Sequence, residues 1–535
     1  MEHKIYINQI GYKIGYPKTA SVIGNADTFS VIDMATDDVV YTAALSDPVQ
    51  DESSGDSVRT ADFSLLEKEG RYCLQVGPIS SDSFVIQARP YTALKNGLIK
   101  ALYFQRCGVA LDKSCAGKYT HGTCHNRPAV YIEDPSLLVD VSGGWHDAGD
   151  YGRYTVAAAT ALGHILYAYE LFPQGFQESL QIPESGNGIP DILNECRFEL
   201  EWILKMQAPD GSAYHKVATR YFCGMIMPEY DTGELLLFKP SLCATGAFAA
   251  VTALGARIYQ DWDPVFAERL QKAAEKAWTF IESDPPFEPF TNPPDVNSGG
   301  YGDRCQLDEY FWAACELFRL TGQPAYRERA SMLSEQIDTT AFGWSNVGGF
   351  GGLTWLIHTK FGSDPLSSAL KQNFLQAAEK QIRTVKDSGY HTALTPEEYR
   401  WGSNMTLMNH AIQLIVAYLI SGSSLYANAA LEQLHYLVGK NPMDISYVTG
   451  YGVRPYKHPH HRPSEADRIK EPVPGMVSGG PNRWRNDDAA RTFIPEGTPP
   501  AKSYIDHPLS HSTNEITIYW NSPAIFVAAF FDAEF

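Results

Sequence analysis

The sequence predicts a multidomain chain, a small all-β immunoglobulin-like sandwich over residues 1–88 followed by an all-α region over residues 89–535. Three observations predict it. Short apolar and β-branched runs alternate at period two up to about residue 88. The period turns helical after Arg89-Pro90. Several later segments open with Pro, which suits a first helical turn.

The β runs are Lys4–Ile7, Thr19–Ile23, Phe29–Ile32, Val39–Ala43, Thr60–Leu65, Arg71–Val76 and Ser83–Gln87. Turn residues separate them, among them Gly24-Asn25-Ala26-Asp27 and Glu69-Gly70. This many short strands in so short a stretch predict a two-sheet sandwich. Cys73 is the only cysteine here, so no Cys–Trp–Cys pin forms. The helical segments begin near Tyr91, Arg153, Pro190, Leu242, Pro264, Asp308, Pro324, Val347, Pro365, Asn404, Ser424 and Asn514. About twelve helices are too many for a bundle, whereas six helical hairpins closed into a ring accommodate them. Gly439 to Thr513 has little periodicity and is rich in Pro, Gly, His and Arg. So long a loop is usually functional, and it is expected to cover one mouth of the ring.

Composition narrows the function. Asp and Glu number 62 against 43 Lys and Arg, a net charge of −19. A nucleic-acid or anionic-membrane binder leans the other way. No run of 18 apolar residues occurs, and none is expected to span a membrane. Aromatics reach 12%, with 30 Tyr and 10 Trp, which suits stacking on flat ligand faces. The nine cysteines are odd in number and widely spread, so most are expected to be buried thiols, as Cys243 in SLCATGAFAA. The start MEHKIYINQIGY has no apolar leader. The expected location is cytoplasmic if the sequence is complete and secreted if a leader was removed.

Four constellations carry chemistry. Asp147 and Asp150 lie three apart in the Gly-rich stretch Gly143–Gly152 and can act on one water, or they cap a turn. Glu515 is expected in the first turn of an apolar helix ending IFVAAFF; it serves the helix dipole, or it is an acid kept protonated by an apolar pocket. Ser446–Gly452 leads to Pro459-His460-His461-Arg462, a set of donors for sugar hydroxyls or a solvated loop. Cys107, Cys124, His125 and His146 are the residue types of a tetrahedral zinc site, though not at zinc-finger spacing, with Cys115 and His121 as local competitors.

Together these residues resemble glycoside hydrolase family 9, the inverting β-1,4-glucanases and cellulases, over nearly the whole chain. Ile7-Asn8-Gln9-Ile10-Gly11-Tyr12 is similar to the opening of that family's immunoglobulin-like module. Ser446 to Arg462 resembles its histidine–arginine signature, with Arg454 at the basic position and His460 at the active-site histidine. Tyr504 to Ser522 resembles the second signature at Asp506, Glu515, Thr517, Asn521 and Ser522, while His511 stands where an aromatic residue is usual and Trp520 where Tyr is common.

The resemblance implies an (α/α)6 barrel with Asp150 as general base, Asp147 holding the water and Glu515 as general acid, the carboxylates roughly 6.5–9.5 Å apart as inversion requires. It implies substrate contacts at His215, Trp401, His460, Arg462 and Asp506, with Trp520 and Trp355 as weaker candidates. It implies structural zinc on Cys107, Cys124, His125 and His146, and calcium through Asp308-Glu309. The expected partner of this monomer is an oligo- or polysaccharide, with neither nucleic acid nor membrane. The alternative is an exo-β-glucosaminidase on chitosan oligosaccharides, which a further charge facing the substrate amine would favour.

Overall fold

The computed structural model describes residues 4–533; the final residues of the expected helical range lie outside it. The N-terminal part is two facing sheets. One runs β1 (Lys4–Tyr6), β3 (Thr19–Ile23), β7 (Ser57–Asp62), β6 (Val49–Gln50). The other runs β2 (Tyr12–Lys13), β10 (Phe84–Gln87), β8 (Gly70–Val76), β4 (Thr28–Asp33), β5 (Val39–Ala44), with β9 (Ile79–Ser80) on β8. Ile5, Val22, Phe29, Val31, Leu74 and Phe84 meet between them, the face that period-two alternation predicts. The strand expected at Thr60–Leu65 lies earlier, because the chain turns where Leu66 N donates to Phe63 O. β2, β6 and β9 have two residues each, too few to show a period.

Among the described residues twelve helices of at least eleven residues follow, and every expected start lies within four residues of one. They are α1 (Thr92–Phe104), α2 (Thr155–Leu171), α3 (Asp191–Lys205), α4 (Leu242–Tyr259), α5 (Pro264–Glu282), α6 (Leu307–Thr321), α7 (Pro324–Ser334), α8 (Gly348–His358), α9 (Pro365–Asp387), α10 (Ser403–Ser421), α11 (Ser424–Leu437) and α12 (Ile518–Asp532). Pro264 and Pro365 open helices capped by the Asp263 and Asp364 carboxylates. α2, α4 and α12 are buried almost all round, whereas α5 and α9 bury one stripe. α2 packs on α4, α4 on α6 and α6 on α8, while α12 packs on both α2 and α10. α4 is long and apolar enough to cross a membrane, against the expectation from composition, but 89% of that stretch is buried in the protein core.

A third sheet was not expected. It orders β12 (Asp134–Val139), β11 (Ala129–Tyr131), β15 (Leu235–Leu237), β14 (Lys216–Thr219) and β13 (Arg153–Tyr154). Its strands are short and scattered along the chain, so no local pattern announces them. It sets Tyr154 opposite Lys216, directly after the aspartate loop.

Candidate active site

Asp147, Asp150 and Glu515 line one cavity of about 670 Å³, together with Trp401, His460, Arg462, Trp520, Tyr301, Trp344 and Tyr519. The aspartate loop is held by backbone bonds. His146 N donates to Gln105 O at 2.7 Å, Asp147 N to Gly152 O at 2.9 Å, and Ile518 N to Asp147 O at 2.8 Å. Arg462 donates from both its main-chain N and its Nη1 to Gly149 O, at 3.1 and 2.7 Å. The contact is so close that a Cβ on Gly149 would lie 1.8 Å from His460 O, so only glycine fits there.

Glu515 is not in the first turn of a helix. A short turn ends at Asn514, and Thr517 caps α12 through its hydroxyl. Glu515 lies between them in extended backbone bridged to His460, with Gly479 N donating to Glu515 O at 2.8 Å. The dipole reading therefore falls. Burial holds the Glu515 carboxyl well above the usual range, the Asp150 and Asp147 charges add to this, and Arg462 and Trp401 oppose it.

Asp147 is also raised well above the carboxylate range, first by burial and then by Asp150, against the hydrogen bond from Tyr301. Its Oδ2 accepts from Tyr301 Oη at 2.5 Å, while Oδ1 is buried without a partner. Asp150 Oδ2 accepts from Gly152 N at 2.9 Å. His460 Nδ1 donates to Pro508 O at 2.6 Å, because a carbonyl only accepts. That leaves Nε2 as the acceptor, and burial pulls the ring down to about 4.

Two expected substrate contacts are not part of the cavity lining. His215 is fully buried, stacked on Phe290 at 3.7 Å, and bonded to Ser241 Oγ and Gly300 O. It supports the wall at Gly300 instead of facing the cavity. Asp506 accepts from Lys457 N, His458 N and Asn514 Nδ2, so it ties loop to loop. Trp355 is core, its Nε1 on Ser367 Oγ. Trp401 and Trp520 do line the cavity. The reading of residues missed Tyr301, Trp344 and Tyr519; only the glycines of Ser298-Gly299-Gly300-Tyr301-Gly302 mark that wall in the sequence.

Cys107, Cys124, His125 and His146 converge, one ligand atom of each within 4.8 Å of the others, and all are buried. Neither Cys115 nor His121 joins them. His125 Nε2 lies 3.2 Å from Asp231 Oδ2, whereas Nδ1 is buried without a partner. These donors fit a metal: two thiols, two imidazoles and a carboxylate orienting one ring. The expected calcium pair is corrected in part. Glu309 converges with Cys243 and Asp303, but Asp308 does not join the group, since its Oδ2 accepts from Val347 N at 2.8 Å.

The model of the glycosyl hydrolase family 9 matches residues 91–528, and that of the cellulase N-terminal ig-like domain matches residues 1–81. The chain belongs to glycosyl hydrolase family 9. This family member is 38% identical to a cellodextrinase of Butyrivibrio fibrisolvens, over 98% of each chain. It superposes on AaCel9A in complex with cellobiose-like isofagomine with a TM-score of 0.93 at 34% identity, covering 99% of this chain and 100% of that one. It superposes on a Zn-binding triple mutant of the GH family 9 endoglucanase J30 with a TM-score of 0.92 at 35% identity, covering 97% and 99%. The chain is a glycoside hydrolase with an N-terminal immunoglobulin-like domain and a helical catalytic domain.

Proposed function

We propose that this glycoside hydrolase cleaves β-1,4-glucosidic bonds of cellulose-type glucans and cellodextrins with inversion. One observation carries the reading. Two aspartates of one backbone-clamped loop and a buried carboxyl, raised in pKa by that burial, share a single aromatic-walled cavity.

Asp150 is the general base that takes a proton from water as its oxygen attacks the anomeric carbon. Asp147, through its partnerless Oδ1, holds that water, and Tyr301 fixes the carboxylate from behind. Glu515 gives its proton to the departing glycosidic oxygen. Trp401 and Trp520 supply apolar wall for the sugar rings, and His460 Nε2 accepts from a sugar hydroxyl. Cys107, Cys124, His125 and His146 would hold zinc, which fixes His146 and with it the adjacent Asp147 without entering the chemistry. We assign the twelve helices to an (α/α)6 barrel and the domain boundary to Arg89-Pro90.

The glucan is favoured over chitosan because, among the described residues, the cavity lining holds no carboxylate beyond those three to pair with an amine. Cellohexaose and a chitosan hexamer digested in parallel test this. Early products of α configuration from cellohexaose are expected, and attack on the chitosan oligomer alone would overturn the substrate. Glu515→Gln should cost on the order of 10²–10⁴ in rate on an unactivated glucan. Near-normal turnover would sink its role as acid. Asp150→Asn should lose as much and recover with azide.

A further inference from the structure

The second convergent group lies beneath the other wall of the cavity. Cys243 sits in the first turn of α4, Glu309 in the first turn of α6, and Asp303 in the segment between Tyr301 and α6. One donor atom from each lies within 4.8 Å of the other two. Glu309 is wholly buried, yet neither of its oxygens accepts a hydrogen bond. Asp303 Oδ1 accepts from Arg304 N and Cys305 N, while Oδ2 is buried and partnerless. Buried acids without donors or cations are costly, and such sites are paired or coordinate metals.

We propose that Cys243, Asp303 and Glu309 bind a thiophilic divalent metal, zinc in preference to calcium, and staple the Tyr301 segment to α4 and α6. Calcium takes six to eight hard oxygen ligands. Here one donor is a sulfur, and Asp308 Oδ2 is already engaged by Val347 N. Zinc takes four ligands and accepts thiolate and carboxylate together. Binding releases the thiol and carboxyl protons to solvent, and the three anions then face a dication. The consequence reaches the reaction centre. Asp303 lies two residues from Tyr301, whose hydroxyl holds Asp147, so the metal acts as a positioning element.

The test is metal content. The full chain, Cys243→Ser and Glu309→Gln are each equilibrated with zinc chloride or with calcium chloride, desalted and assayed by mass spectrometry for the metal. Both variants are expected to carry one zinc equivalent fewer than the parent, with calcium unchanged among the three. Metal on the Cys107 cluster is common to all three and cancels in the difference, so a failure of that assignment leaves this test intact. Equal zinc in all three, or a calcium equivalent lost in Glu309→Gln, overturns the proposal. Should Cys243→Ser not fold, Glu309→Gln, which keeps the side-chain shape, decides alone. Loading the parent with cobalt chloride should give a thiolate-to-metal absorption that exceeds that of a Cys243→Ser protein able to fold.

Discussion

The two walls that meet at Asp147 are built by opposite means. The wall Trp145–Gly152 is fixed by its own Asp147–Gly152 main-chain bond and by main-chain bonds to three separate segments, at Gln105, Arg462 and Ile518. The facing wall, Gly299–Asp303, is in no strand and hangs on side chains. Lys216 Nζ donates to Gly299 O at 2.6 Å, His215 reaches Gly300 O at 2.8 Å, and Tyr301 sits at φ +47°, where a side chain is strained. The difference teaches where the site tolerates change. A backbone-clamped wall is over-determined and breaks on any added atom. A side-chain-hung wall yields by degrees.

Of the two walls, breaking the clamped one should have the larger effect. Gly149→Ala puts a methyl into His460 O and should lower kcat/KM by about 10²-fold or more, since a displacement near 1 Å costs that much. Its melting temperature should fall as well. Near-parent turnover would show that the loop can move after all. Next, Tyr301→Phe removes the donor to Asp147 from the hung wall. Leaving one partner of a buried hydrogen bond unpaired costs about 1–3 kcal/mol, or roughly 10–10²-fold in rate where the bond acts only in the transition state. The loss should appear in kcat with KM little changed. A KM effect alone would place Tyr301 in binding instead.

Lys216→Met loosens the same wall one step further back. It leaves the Asn292, Ser298 and Gly299 oxygens unpaired, so stability should fall by about 1–3 kcal/mol in denaturant melts, with only a few-fold loss of rate. If rate falls more than for Tyr301→Phe, the order of the two supports is reversed.

The smallest effects are in pH. The acid must be protonated, so kcat/KM is full below the raised Glu515 pKa and is lost as pH rises through it. The stability linkage has the same sign. Glu515 is raised in the fold above its unfolded value, so its contribution is full below the unfolded pKa and lost as pH rises. Gln does not titrate, and Glu515→Gln should therefore become more stable than the parent with rising pH. Thermal melts that show no such divergence would mean that Glu515 ionises freely. On the acid side, KM should rise as pH falls through about 4, where His460 gains its proton.

How much was legible follows from whether a signal is local. The helix starts were legible because capping and amphipathic period act within a turn or two. Asp147, Asp150 and Glu515 were legible because each stands in a short run with its own chemistry. Tyr301, Trp344 and Tyr519 were not, since an aromatic side chain in a loop or a first helical turn looks the same whether it faces core or cavity. His215 and Asp506 lie off the cavity lining for the converse reason: residue type gives a donor or an acceptor, and only packing says what it pairs with.

By itself the sequence determined the two-part architecture, the order of the helices and the three carboxylates, all of which rest on periodicity or on short runs. The tertiary structure alone decided that β13 and β14 pair, that Glu515 lies in extended backbone against His460, and that Cys243, Asp303 and Glu309 meet. These contacts join residues far apart along the chain. Their energies come from burial and from the pairing of polar groups, which exist only once the chain has closed on itself.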